Sequence, residues 1–103
     1  MKSDDLYFTV SPSERAIESL REIAKRAALK GRILEVQDAA RKVYSWLQAD
    51  PETLGEPFQD HNALQLTEYC AFEGPLIIRY AIHHASKQVF ITIPFRVARW
   101  AGF

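Results

Sequence analysis

The sequence predicts an α+β fold: an N-terminal strand, an antiparallel helical hairpin, then a three-stranded antiparallel meander, β-α-α-β-β-β in order. Three observations predict it. Residues 14–49 carry apolar side chains at helical spacing, interrupted once near Gly31. Residues 64–95 alternate with a period of two between turn-forming clusters. A short alternating run over 6–10 precedes both.

In that first run Leu6, Phe8 and Val10 share one face, and Tyr7 and Thr9 the other. Ser11-Pro12-Ser13-Glu14 then announces a helix, with Ser11 as N-cap, Pro12 in the first turn and Glu14 closing a capping box. Ala16, Ile17, Leu20, Ile23, Ala24, Ala27 and Ala28 form its apolar stripe. Glu14, Glu18 and Glu22 come early, and Lys25, Arg26 and Lys30 late, an order that suits the helix dipole. Gly31 is its stop.

A second helix is expected over 33–49, with Val36, Ala39, Ala40, Val43, Trp46 and Leu47 facing the core and Asp50-Pro51 ending it. The short break implies an antiparallel hairpin, and alanines on the facing stripes let the axes approach closely. Residues 51–62 read as a long loop with Pro51, Gly55 and Pro57, a place where function concentrates.

Three strands are expected over 64–72, 76–83 and 88–95. A four-residue loop, His84-Ala85-Ser86-Lys87, sets Ile82 opposite Val89, Tyr80 opposite Ile91, Ile78 opposite Ile93 and Leu76 opposite Phe95. One face of that hairpin is then wholly apolar. A three-residue turn, Glu73-Gly74-Pro75, extends the register to Phe72 opposite Leu76, Cys70 opposite Ile78 and Leu66 opposite Ile82. Cys70 thus reads as a small core residue. Glu68, opposite Tyr80, is the misfit. The other face collects Tyr69, Arg79 and Thr92 in one row, and the helices cannot cover it.

Composition narrows the function classes. The chain has 103 residues, read as one domain, with 13 Lys+Arg against 13 Asp+Glu and formal net charge zero. That balance argues against binding nucleic acid through charge alone. It is uneven, however. Residues 1–60 hold 9 basic and 11 acidic side chains, and residues 61–103 hold 4 and 2. One Cys makes neither an internal disulfide nor a Cys-rich zinc site, so a reducing cytoplasm is expected. No apolar run is long enough to span a membrane. There is no Gly-rich phosphate loop, nucleophile elbow or metal-ligand spacing, so no cofactor or metal is expected.

The order of elements resembles the RelE/ParE superfamily of bacterial type II toxin–antitoxin and plasmid stabilisation toxins. Two segments carry the resemblance: the helix end and turn Trp46-Leu47-Gln48-Ala49-Asp50-Pro51-Glu52-Thr53-Leu54-Gly55-Glu56-Pro57, and the apolar strand Gly74-Pro75-Leu76-Ile77-Ile78-Arg79-Tyr80-Ala81-Ile82. The resemblance implies a cytoplasmic toxin held inactive by an antitoxin that wraps around it. It implies one of two activities, ribosome-dependent mRNA cleavage or inhibition of DNA gyrase. A non-toxic member acting only as a protein-binding module, and a homodimer, stay open beside these.

The chain departs from the family's nuclease pattern. Ile77 stands where many members carry Arg, and Arg79 lies two residues on, with the same parity. The segment Phe58-Gln59-Asp60-His61-Asn62 lacks the usual Lys cluster. Trp100 stands where a Tyr or His is expected, and indole is neither acid nor base at neutral pH. Cleaving an RNA phosphodiester needs a base, a cation and an acid. Arg79, Arg96 and Arg99 are the candidate cations, and His83 or His61 the candidate proton carrier. Tyr69, Thr92 and Trp100 are the candidate RNA contacts. His61 beside Asp60 otherwise reads as a plain loop residue. The basic helix surface of Lys25, Arg26, Arg32, Arg41 and Lys42 reads as a solvated face.

Overall fold

The computed structural model describes residues 7–103. The chain runs through strand β1 (Thr9–Pro12), helices α1 (Glu14–Leu29) and α2 (Ile33–Ala49), and a single helical turn α3 (Pro51–Leu54). Strands β2 (Glu56–His61), β3 (Leu66–Glu73), β4 (Leu76–His83), β5 (Gln88–Ile91) and β6 (Arg96–Val97) follow. The sheet order is β1-β5-β4-β3-β2, with β6 pairing onto β4. All pairs are antiparallel except β1 with β5. The helical hairpin covers one face of this sheet. The α+β class and the order of the expected elements hold.

The core lies between hairpin and sheet. Ala16, Ile23 and Ala27 of α1 and Val36, Ala39, Val43 and Leu47 of α2 pack over Ile78, Tyr80, Ile82, Val89 and Ile91. Ala16, Ala27 and Ala39 are all buried, Ala39 close to Gly74 of the β3–β4 turn. Trp46, expected in that stripe, sits at its margin and is 41% exposed.

Several local expectations change. β1 begins at Thr9, and Leu6 lies outside the described residues. Ser13, not Ser11, caps α1: its Oγ accepts from the Ala16 N–H at 3.1 Å. The reason is that Ser11 and Pro12 are drawn into β1, where Ser11 pairs with Phe90 and Pro12 with Ile91. The expected loop 51–62 contains α3 and β2, which adds an edge strand to the sheet. The last strand is split around Pro94: β5 ends at Ile91 and β6 resumes at Arg96. Proline has no N–H to give to a ladder.

The largest change is in register. Ile82 pairs with Val89, as expected. On the other side of β4, Glu73 pairs with Leu76, so the turn holds only Gly74 and Pro75. Gly74 takes φ +53°, the geometry that a two-residue hairpin asks of its first turn position. One residue fewer in the turn reverses the facing of all of β3. Tyr69 and Ala71 are therefore buried under the helices, while Phe72 is 68% exposed. Glu68 and Cys70 move to the open face, the former beside Arg79 and the latter opposite it.

Candidate functional site

The open face of the sheet is built by residue parity. On β4 it carries Ile77, Arg79, Ala81 and His83, and on β3 Glu68, Cys70 and Phe72. β2 adds His61 and Gln59 through its pairing with Leu66 and Glu68. Between Pro57 and Gln59 the register slips, leaving Phe58 as the extra residue of a bulge.

Four of these side chains meet across three strands. His61 Nε2 lies 2.5 Å from Glu68 Oε2. The other carboxylate oxygen, Oε1, lies 3.6 Å from Arg79 Nη2. The Arg79 guanidinium carbon stands 4.7 Å from the Phe58 ring centroid, in cation–π range. Glu68 is thus shared, one oxygen to the imidazole and one toward the guanidinium. All three polar side chains are partly buried. Thr92, one residue past β5, lines a shallow depression with Glu68, Arg79 and Phe90. A groove of ≈ 430 Å³ borders Phe58, lined by Gly55, Glu56, Phe58, Cys70 and Phe72.

The remaining candidates do not join this group. Tyr69, expected on the open face, is 6% exposed beneath the helices and stacks on Tyr80, with ring centroids 5.4 Å apart and planes 7° from parallel. The register explains this correction: Tyr69 pairs with Tyr80, and Cys70 takes the place opposite Arg79. His83 closes the β4–β5 turn, its Nδ1 2.6 Å from Ser86 Oγ. At the rise of a strand it stands about 13 Å from Arg79 along β4. Arg96 pairs with Ile77, about 20 Å from His83 at the other end of β4. One phosphate cannot touch both. Arg99 and Trp100 belong to a 3-10 turn, Arg99–Ala101, and Trp100 is 71% exposed. Trp100 lines a depression with Asp38 and Lys42 of α2 and Pro75 of the turn.

Arg32 holds that C-terminal turn, donating to the Ala101 carbonyl and lying 4.8 Å from the Phe103 ring centroid. Half of the hairpin's eight basic residues pair with an acid one turn away: Arg21 with Glu18, Lys25 with Glu22, Arg32 with Glu35 and Arg41 with Asp38. Among the described residues no three His, Cys, Asp or Glu side chains come close enough to hold a metal, and no helix is long and apolar enough to cross a membrane.

Sequence reasoning undervalued His61, Glu68 and Phe58. Two signals for them are present. Glu68 is the only polar residue in the apolar row of the three-residue register, and Gly-Pro is a competent two-residue turn.

No family model matches the sequence, and no curated protein does. The backbone does resemble solved structures. A chain of the toxin–antitoxin complex RelBE2 from Mycobacterium tuberculosis superposes with a TM-score of 0.64 over 88% of this chain and 98% of its own, at 18% identity. The fold is that of the RelE toxins. A chain of the archaeal RelE–RelB complex from Pyrococcus horikoshii superposes with a TM-score of 0.53 over 89% of this chain and 96% of its own, at 14% identity. Both alignments run through the helical hairpin and sheet together, so the RelE-like architecture extends across nearly the whole chain.

Proposed function

We propose that this chain is the toxin component of a type II toxin–antitoxin pair, that an antitoxin segment is its partner, and that its open sheet face acts on mRNA at the ribosome. The observation that carries the reading is the near-complete overlap with RelE-fold chains that were solved in toxin–antitoxin complexes. The open face supports the RNA part. It displays a guanidinium against an aromatic ring, Arg79 on Phe58, beside a His–carboxylate pair. Aromatic faces and arginine planes are the usual holders of unpaired bases and phosphates. Arg96 and Arg99, with no ion-pair partner among the described residues, add positive charge near the other end of β4.

The test is expression of the chain alone and together with the small reading frame beside its gene. Growth arrest with cut mRNAs, relieved by the neighbour, is expected. Normal growth on expression alone would sink the toxin reading. Filamentation with DNA damage and intact mRNAs would move the target to gyrase.

A further inference from the structure

We propose that His61 is the general base of RNA cleavage in this chain, positioned by Glu68, and that the catalytic centre lies at the β2 bulge and not at the C-terminal segment. This rests on the reading of the open face as an RNA-acting surface.

The geometry assigns the roles. A carboxylate only accepts hydrogen bonds, so when the His61 ring carries a single proton, Glu68 Oε2 at 2.5 Å places that proton on Nε2. The lone pair of a base is then on Nδ1. The same carboxylate faces the imidazolium that forms after proton transfer, the arrangement by which a carboxylate orients and supports a catalytic histidine. Arg79 has five N–H donors and commits one edge toward Glu68 Oε1 at 3.6 Å. Its remaining donors suit a phosphate. Phe58 holds that guanidinium from the other side and also walls the groove that Phe72 lines. Two aromatic walls with an exposed Phe72 suit an unstacked base.

The step balances without a metal or an oxidant. His61 takes the proton of a ribose 2′-OH. The 2′ oxygen bonds to the neighbouring phosphorus, and the bond from phosphorus to the 5′ oxygen breaks. The leaving oxygen takes a proton from water, and the imidazolium returns its proton to the hydroxide. The products are a 2′,3′-cyclic phosphate and a 5′-hydroxyl end. Arg79 faces the charge that builds on the phosphate oxygens. Trp100, which can neither give nor take that proton, has no part in the step.

The experiment uses the full chain in a reconstituted translation system, with mRNA cuts mapped and end groups identified. Loss of a general base costs about 10²–10⁴-fold in rate, so His61→Ala and His61→Gln are expected to cut at least about 100-fold more slowly. Added imidazole is expected to restore part of the His61→Ala rate, which a merely structural role would not allow. Glu68→Gln is expected to lower the rate at saturating ribosomes while leaving the half-saturating concentration unchanged. Arg41→Ala, on the helix surface, is the control. Thermal melts of each variant separate loss of chemistry from loss of fold. Cutting by a folded His61→Gln at the unmutated rate would overturn the assignment and leave the toxin reading standing. Arrested translation with intact mRNA would overturn it in the same way. A protein that neither cuts nor arrests would overturn both.

Discussion

At the scale of single residues, Gly55 and Tyr80 govern how the site's edge strand is seated. A Cβ at Gly55 would stand 2.7 Å from both the Cys70 carbonyl oxygen and the Tyr80 hydroxyl. The first of these is backbone and cannot swing away. Gly55→Ala is expected to destabilise the chain by about 1–3 kcal/mol, read from urea denaturation. The Tyr80 hydroxyl donates to the Pro51 carbonyl at 2.6 Å, tying α3 to the central strand. Burial pushes this hydroxyl well above the ordinary tyrosine value of 10.0. Burial also raises Tyr44 and Tyr69. The sign follows from linkage. Below pH 10.0 folded and unfolded chains both keep the phenol proton, and the full contribution is present. As pH rises above that, the unfolded chain ionises first and stability falls. Thermal melts from pH 8 to 11 are expected to show this decline, shallower in Tyr80→Phe. A stability independent of pH there would contradict the burial. Glu68 was legible in the sequence only as an anomaly, an acid in an apolar row. The physical content of the anomaly is a β3 register one residue away from the three-residue turn, with Glu73 opposite Leu76.

At the scale of elements, the boundaries follow competition between neighbouring structures. Ser11 and Ser13 both precede the apolar stripe of α1, and either could serve as N-cap. Pairing of Ser11 with Phe90 leaves only Ser13 for the helix. Ser13→Ala is therefore expected to cost about 1 kcal/mol, and Ser11→Ala to stay within about 0.5 kcal/mol, in parallel thermal unfolding series. Equal losses would show the cap shared between them. The β3–β4 hairpin follows the same logic. Gly74 occupies a left-handed conformation with φ +53°, which costs a residue with a Cβ about 1–2 kcal/mol. Gly74→Ala is expected to lose that much in denaturant titration, with the added Cβ pressing on Ala39 at 3.3 Å. Helices α1 and α2 were readable almost to their ends because 16 and 17 residues repeat one pattern. β2 was not readable, because five exposed residues and a half-buried His61, with Pro57 in their midst, carry no apolar alternation.

At the scale of the whole molecule, the helical hairpin lies on one side of the sheet and leaves the other open. The central strand β4 is held by β3, β5 and β6, while β2 has a neighbour on one edge only. Opening free energies are expected to follow that order. Hydrogen exchange should find β4 amides the slowest and β2 amides among the fastest of the sheet. Equal protection of β2 and β4 would mean the edge is covered. The candidate site straddles this gradient, with Arg79 on the rigid strand and His61 and Phe58 on the edge. A partner that pairs with or covers β2 would therefore act on the site through its least anchored members.

Zero net charge acquires a different meaning on this fold. Four of the hairpin's eight basic residues are paired with acids one turn away, and Arg79 faces Glu68. What the open face offers is an ordered His–Glu–Arg cluster rather than an excess of cations. Periodicity alone sufficed for the α+β class, the two helices and the Ile82–Val89 register, because each rests on a local repeat that burial enforces. Which side of the sheet β3 presents could not follow from periodicity. Alternation has two phases, and a turn one residue shorter exchanges them. The folded chain selects the phase in which Tyr69 stacks on Tyr80 under the helices and Glu68 reaches His61 and Arg79. It does so because the other phase would bury a carboxylate against the apolar core, at a cost that burying Cys70 and Phe72 does not offset.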